Sequence, residues 1–258
     1  MADEYPSAEV RFLAASTWHP PYFYRSSAWT LHQHSLIGIS NDPHPNLNRS
    51  LTNSRVPPNC RFELDDMERP WMWKENSFDF IFSRDLLLAI RDFPKLIDQC
   101  YTSVPTPHTS PSQPTNLPSH LKPGGYIEFQ AITACLGSDD NTLPLDGSFQ
   151  KFADNLNHSA IIFGTPIDDP LRWKGWFEER GFVDVTVKVV KLPCNTWPKD
   201  PRMKVLGAWE MENLLSNLEG MTMRLFQKAL GWTPEEVSVF LVGVRKEIRD
   251  RSIHAYWP

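Results

Sequence analysis

The chain has 258 residues, 41% of them hydrophobic, with 10 Trp and 15 Phe; this is enough for one packed α/β domain and excludes a disordered tail protein. A net charge of −5 with acids and bases interspersed leaves no basic surface for nucleic acid or an anionic membrane, and no apolar run approaches the ~20 residues needed to span a bilayer. Cys60, Cys100, Cys135 and Cys194 lie far apart without metal-ligand spacing; with no signal peptide, they fit a reducing intracellular compartment.

In chain order, residues 1–10 read as a helix end and a strand, and 11–36 as an aromatic, Pro- and His-bearing stretch without sustained period. Strands are predicted at 37–39, 61–64 and 78–82, the last an aromatic and aliphatic run suited to burial on both faces of a parallel sheet. Leu86, Leu87, Ile90, Phe93, Leu96 and Ile97 fall close to helical spacing and predict a helix over 86–101. Residues 105–119 are Pro/Ser/Thr-rich and predict an irregular exposed loop. Lys122-Pro123-Gly124-Gly125 then reads as a turn, because proline cannot continue a helix and glycine permits a reversal; a strand over 126–131 follows. Helices are predicted near 146–159, over 170–180 up to Gly181, and within 204–249, with a strand at 183–191. Thr233, Pro234 and Glu236 have the spacing of N-cap, first helical residue and capping-box partner. Arg245, Lys246, Arg249 and Arg251 alternate with Glu247 and Asp250, as on a solvated helix face. The organisation expected is a divergent segment 1–36, a core over 37–193 with the insert 105–119, and a helical part of the same domain over 194–258.

Strand, helix, Leu-Lys-Pro-Gly-Gly and strand in succession resemble the back half of the class I S-adenosylmethionine-dependent methyltransferase sheet. Four further runs, read together, resemble one fungal group within it, which contains secondary-metabolism regulators and natural-product tailoring methyltransferases. They are residues 56–66 (VPPNCRFELDD); the stretch from Asp79 that ends in Ile90-Arg91-Asp92; Leu192-Pro193 with residues 197–202 (WPKDPR); and Leu230-Gly231-Trp232 with residues 250–256 (DRSIHAY). The resemblance implies an α/β fold with a Rossmann-like sheet, S-adenosyl-L-methionine as cofactor, and a small-molecule acceptor methylated by direct in-line transfer. A regulatory protein partner is the alternative, with a cytoplasmic location, or a nuclear one for a regulator.

The resemblance also assigns residues. Asp65 and Asp66, after the strand at 61–64, match the acidic turn that contacts adenine; alternatively they cap the following turn. Ser83 and Arg84 face the methionine part of the donor; alternatively Arg84 pairs with Asp85 or Asp92. Ser40 falls where the ribose carboxylate is expected, with Asp42 two residues on. Glu128 is a structural or cleft-bordering group rather than a base, and no catalytic residue or metal ligand is assigned. His158 and His254 are the histidines nearest substrate elements, and Trp173, Trp176 and Trp209 either line an aromatic acceptor pocket or belong to the core. The glycine-rich turn that lets backbone N–H groups meet the donor's carboxylate is missing, so the sheet is expected to lack its first and last strands and to bind the donor weakly or not at all. On this reading 11–36 and 102–119 are translated introns and the first strand is an upstream exon; the alternative is a degenerate paralogue.

Overall fold

The computed structural model describes residues 10–15, 60–101 and 119–258, a mixed α/β chain. Its elements are β1 (Val10–Ala15), β2 (Cys60–Asp65), β3 (Phe78–Arg84), α1 (Phe93–Cys100), β4 (Leu121–Gln130), α2 (Ser148–Ile162), α3 (Trp173–Glu179), β5 (Leu192–Pro193), α4 (Pro201–Leu225), α5 (Pro234–Arg249) and β6 (Tyr256–Trp257). β1 and β2 pair in parallel, as do β3 and β4, while β5 and β6 are antiparallel; each pair is a two-stranded sheet. The described residues fall into two compact units. The first holds 10–15, 60–101, 119–130 and 179–181, and the second holds 131–178 and 182–258.

In the first unit, β1 runs from Val10↔Cys60 to Ala15↔Asp65 in register with β2. The irregular stretch expected from residue 11 therefore begins as strand, because five residues after Val10 find a partner. Helix α1 is also shorter than expected. Asp92 caps it, its Oδ1 accepting from the Lys95 N–H at 2.9 Å. Pro94 lacks an N–H and its ring would strike the carbonyl four residues back, so it fits only in the first turn. Residues 86–92 are turns instead, and the helix starts at Phe93. Phe93, Leu96, Ile97 and Cys100 form its buried stripe. Gln99 ties it to the segment after β2, donating to the Met67 carbonyl at 2.9 Å and accepting from the Trp71 N–H at 3.0 Å. Fully buried His120 bridges the carbonyls of Gln99 (Nδ1, 2.9 Å) and Trp73 (Nε2, 3.1 Å).

The Lys-Pro-Gly-Gly run is not a turn ahead of a strand. Phe78 pairs with Leu121 and Phe80 with Tyr126, so Lys122–Gly125 bulge out of β4 opposite Asp79 alone. Gly124, at φ +78°, takes the left-handed conformation the bulge needs. Lys122 Nζ lies 2.7 and 2.8 Å from the two Asp79 carboxylate oxygens and pins it.

The second unit packs α2, α4 and α5 around Phe149, Phe152, Leu218, Phe226, Leu241 and Val244, all buried. The Thr233 capping box is present: Thr233 Oγ1 accepts from the Glu236 N–H at 3.2 Å, and Glu236 Oε2 from the Thr233 N–H at 2.7 Å. Asp200 caps α4, accepting from the N–H groups of Arg202 and Met203 at 2.9 Å each. α2 begins after Gly147, which offers no side chain. Glu247 of α5 caps it instead, accepting from the Ser148 and Phe149 N–H groups at 2.9 and 2.8 Å. Glu247, expected on a solvated face, thus holds two helices together. α4 runs into a π-helical turn, Phe226–Leu230, where Phe226 packs edge-on against Trp232 at 5.4 Å.

The strand expected at 183–191 does not form; only Leu192–Pro193 join β6. Alternating valines favour a strand, but a strand also needs a neighbour for its backbone groups, and none of the described strands flanks this one. The other helices lie close to expectation, with a 3₁₀ turn, Asp169–Leu171, opening the 170–180 region. The strand expected at 37–39 and residues 105–118 of the loop lie outside the described residues.

Candidate functional site

The parallel pairs place the assigned residues at strand carboxyl ends. Asp65 closes β2 and Asp66 follows it. Asp66 is half-buried; its Oδ1 accepts from the Glu68 N–H at 3.0 Å, its Oδ2 lies 3.3 Å from Arg69 Nε, and its carbonyl accepts from the Arg69 N–H at 3.0 Å. The turn-capping geometry foreseen for this position is therefore present. Ser83 and Arg84 are the last two residues of β3, opposite Phe129 and Gln130. Ser83 is buried, whereas Arg84 is exposed and makes no ion pair among the described residues. Asp92, one of its foreseen partners, instead caps α1. Asp65–Asp66 and Ser83–Arg84 end different two-stranded sheets, and Ser40 lies outside the described residues.

The loop that leaves β3 carries the main backbone strain of the first unit. Asp85 has φ +52° and Leu88 φ +63°, both in the left-handed region that disfavours side chains. Asp85 is held there by its N–H donating to the Gln130 carbonyl at 2.9 Å, and the Ala89 N–H donates to the Leu86 carbonyl at 3.0 Å. No glycine marks this loop in the sequence, and the helical spacing of Leu86, Leu87 and Ile90 is what predicted a continuous helix there. Glu128 is exposed and accepts from Gln130 Nε2. Its contact is with its own strand.

The second unit contains a polar constellation that sequence reasoning missed. His254 Nδ1 meets Asp140 Oδ2 at 2.5 Å, its ring stacks on Trp197 at 4.9 Å, and its N–H donates to Thr142 Oγ1 at 2.8 Å. Beside it, Asp139 accepts from Lys191 Nζ at 2.6 Å and from the Tyr256 hydroxyl at 2.8 Å, and Lys191 lies over the Tyr256 ring. His254 and the Thr142 hydroxyl hold the Asp140 carboxyl well below its ordinary range. The Lys191 and Tyr256 hydrogen bonds lower Asp139, and Asp139 raises Lys191. More than a hundred residues separate Asp140 from His254, and no local spacing could have announced the pair.

Deeper in the same unit, Glu210 of α4 is 6% exposed, and burial pushes its carboxyl up to about 7 against hydrogen bonds from Asn213 and Trp257. Buried Cys194 is pushed up by desolvation and by the Glu210 charge. Cys100, Cys135 and Cys194 are free thiols. The aromatic residues divide: Trp173 is buried, Trp176 is half-buried under Arg172, and Trp209 is 70% exposed. Trp209 is therefore not core. His158 is exposed on α2. Among the described residues no three or more His, Cys, Asp or Glu gather as a metal site, and no helix is long and apolar enough to cross a membrane.

No protein-family model matches the chain. Comparison with known proteins finds methyltransferase pytC of Aspergillus terreus, 34% identical over 232 residues, 88% of this chain and 64% of the relative. The probable methyltransferase tdiE of Emericella nidulans is 29% identical over 220 residues, 85% of this chain and 62% of the relative. The secondary metabolism regulator LAE1 of Cochliobolus heterostrophus is 33% identical over 205 residues, 78% of this chain and 61% of the relative. The chain thus spans less than two thirds of the length of these relatives. Over most of its own length it is a homologue of the fungal group that holds the pytC- and tdiE-type methyltransferases and the laeA-type secondary-metabolism regulators.

Proposed function

We propose that the chain is an S-adenosylmethionine-dependent methyltransferase of fungal secondary metabolism that methylates a small-molecule acceptor by direct in-line transfer. The observation that carries the reading is the match to pytC along 88% of the chain. The strand ends support it. In a Rossmann-like sheet the donor lies across the carboxyl ends of parallel strands, and Asp65, Asp66, Ser83 and Arg84 stand at the ends of β2 and β3. Arg84 is exposed and its guanidinium makes no ion pair among the described residues, which suits the carboxylate of the donor. Asp66 suits the adenine amine, a carboxylate oxygen accepting from it as it now accepts from Glu68. The bound donor supplies a methyl group already activated on a sulfonium. The chain's own residues need only bind and orient, and a general base is optional.

Residues 16–37, which follow β1, contain no glycine to form a backbone cradle there, and on this reading Arg84 carries the contact to the donor carboxylate. Donor affinity is accordingly low. Calorimetric titration of the full chain with S-adenosylmethionine is expected to give a dissociation constant weaker than ~100 μM, with Arg84→Ala weakening it about tenfold or more, as for a charge-assisted pair. Micromolar binding indifferent to Arg84→Ala overturns this placement of the donor.

A second reading is a non-catalytic regulatory paralogue acting through a protein partner. It rests on the relatives named as secondary metabolism regulators together with the glycine-free stretch after β1. A folded chain with no measurable donor binding at millimolar concentration would favour it.

A further inference from the structure

Both ring nitrogens of His120 meet acceptors. The residue is fully buried. Nδ1 lies 2.9 Å from the Gln99 carbonyl oxygen, and Nε2 lies 3.1 Å from the Trp73 carbonyl oxygen. A carbonyl oxygen can only accept, so each nitrogen has to bring a proton. A neutral imidazole has one N–H and one bare lone pair, and in either tautomer that lone pair would face a carbonyl oxygen across one of these contacts. The imidazolium, with an N–H on both nitrogens, satisfies the two together.

The surroundings suit a cation. A buried charge is costly unless it is hydrogen-bonded and offset by its neighbours. Gln99 and Cys100 are the last residues of α1, where carbonyls lack a helical partner and the helix dipole is negative. His120 supplies two of the missing donors there, Nδ1–H to Gln99 and its backbone N–H to the Cys100 carbonyl at 3.2 Å. The ring stands 5.2 Å from the Trp71 ring, close enough for attraction between a cation and the indole face, and 6.4 Å from Trp73. Charged groups on the same elements are engaged elsewhere or exposed. Asp98 of α1 pairs with Arg180, and Asp79 of β3 pairs with Lys122 of β4. Lys74 and Glu75 are exposed, and burial pushes the Cys100 thiol up, which keeps it neutral. Carbonyl dipoles and indole rings therefore hold the charge.

The position is a junction. The His120 carbonyl accepts from the Ser77 and Phe78 N–H groups at 2.9 and 3.0 Å, where β3 starts, and the next residue, Leu121, opens β4. We infer that His120 is a buried imidazolium whose two ring N–H groups form a proton-dependent clasp, fastening the Trp71–Trp73 segment and the end of α1 to the heads of β3 and β4. Loss of the proton turns one bond into a repulsion, and the ring must release one carbonyl. The unfolded chain gives up this proton near pH ~6.5, whereas the clasped chain needs it. Stability from the clasp is thus full below that value and is lost as the pH rises through the point where the folded ring lets go.

Two measurements on the full chain test the clasp. Nitrogen-15 NMR of the histidine rings at about pH 7.5, with His120 identified by its proximity to the Trp71 indole, should show two protonated ring nitrogens of nearly equal shift. Urea titrations at about pH 6 and about pH 8 should show the folding equilibrium constant of wild type falling about twentyfold relative to that of His120→Gln, which has no proton to lose in this range. Glu210 and every other titrating group are common to both proteins and cancel in the comparison. A bare ring nitrogen on His120 in the folded chain at the NMR pH overturns the inference, and so does an H120Q variant with the pH dependence of wild type. If H120Q does not fold, the NMR measurement on the wild-type chain decides alone.

Discussion

Replacing Glu210 with Gln should make the protein more stable near neutrality and change little in acid. Glu210 lies 6% exposed on α4, with Asn213 Nδ2 at 3.3 Å from Oε2 and the Trp257 indole also donating. Those hydrogen bonds favour the carboxylate, but burial outweighs them and lifts the carboxyl from 4.5 to about 7. Between these values the native state keeps a proton that the unfolded chain has released, so stability falls as pH rises. The contribution is fully present below 4.5 and is lost by the time the pH passes about 7. At ~1.4 kcal/mol per pH unit, the whole loss is about 3 kcal/mol. Glutamine keeps an acceptor oxygen for Trp257 and carries no charge to desolvate. The gap in unfolding free energy between Glu210→Gln and wild type should therefore widen by ~2.5 kcal/mol from about pH 5 to about pH 8. Urea titrations of both proteins at the two values measure it through the midpoint and slope. A gap that stays constant with pH would mean that the carboxylate is solvated or paired in the native state, and the burial argument would fall.

Other outcomes follow from close contacts. A Cβ added at Gly207 would lie 1.9 Å from the Asn195 carbonyl oxygen, so Gly207→Ala should destabilise by about 3 kcal/mol although alanine is the better helix former; a neutral or stabilising result in denaturation would show that α4 and residues 193–195 are not in such contact. Arg180 and Asp98 meet at 2.6 Å with side chains only 6% and 16% exposed, and Asp98→Ala, which removes the nearest carboxylate from a buried guanidinium, should cost about 3 kcal/mol by the same measurement. Thr233→Ala removes an N-cap and should cost about 1 kcal/mol without altering donor affinity, a split that calorimetry and denaturation together can check.

Legibility in the sequence depended on range. Thr233 to Glu236 was readable because a capping box lies within one helical turn, and β2 because Cys60 to Asp65 is bounded by polar residues. The start of α1 was also legible in principle: Asp92 and Pro94 mark it, but the apolar period through Leu86 and Ile90 drew the expected helix back across them. The Lys-Pro-Gly-Gly run signalled a departure from regular structure, though a turn and a bulge share the same residues, and only the partner strand with Asp79 decides between them. The reverse held at 183–191, where the pattern was right for a strand and none of the described strands lies beside it. The candidate site divided in the same way. Ser83 and Arg84 could be placed because a strand's end is a local property, whereas Asp140 with His254, and Glu247 over the start of α2, are meetings of residues far apart in the chain.

The π-helical turn at Phe226–Leu230 makes the register of everything after it sensitive to chain length. An α-helix advances about 100° per residue, and a π turn accommodates one residue more than an α turn without lengthening the helix by a full step. Removing a single residue there would let α4 continue as ordinary helix, at the cost of turning the following segment by roughly that angle. Trp232 and Phe240 would then no longer meet Phe226, and Glu247 would miss the N–H groups of Ser148 and Phe149. A one-residue gap at this point in a comparison of related chains therefore marks a rearranged helical core, whereas a gap of the same size in a surface loop marks nothing of the kind.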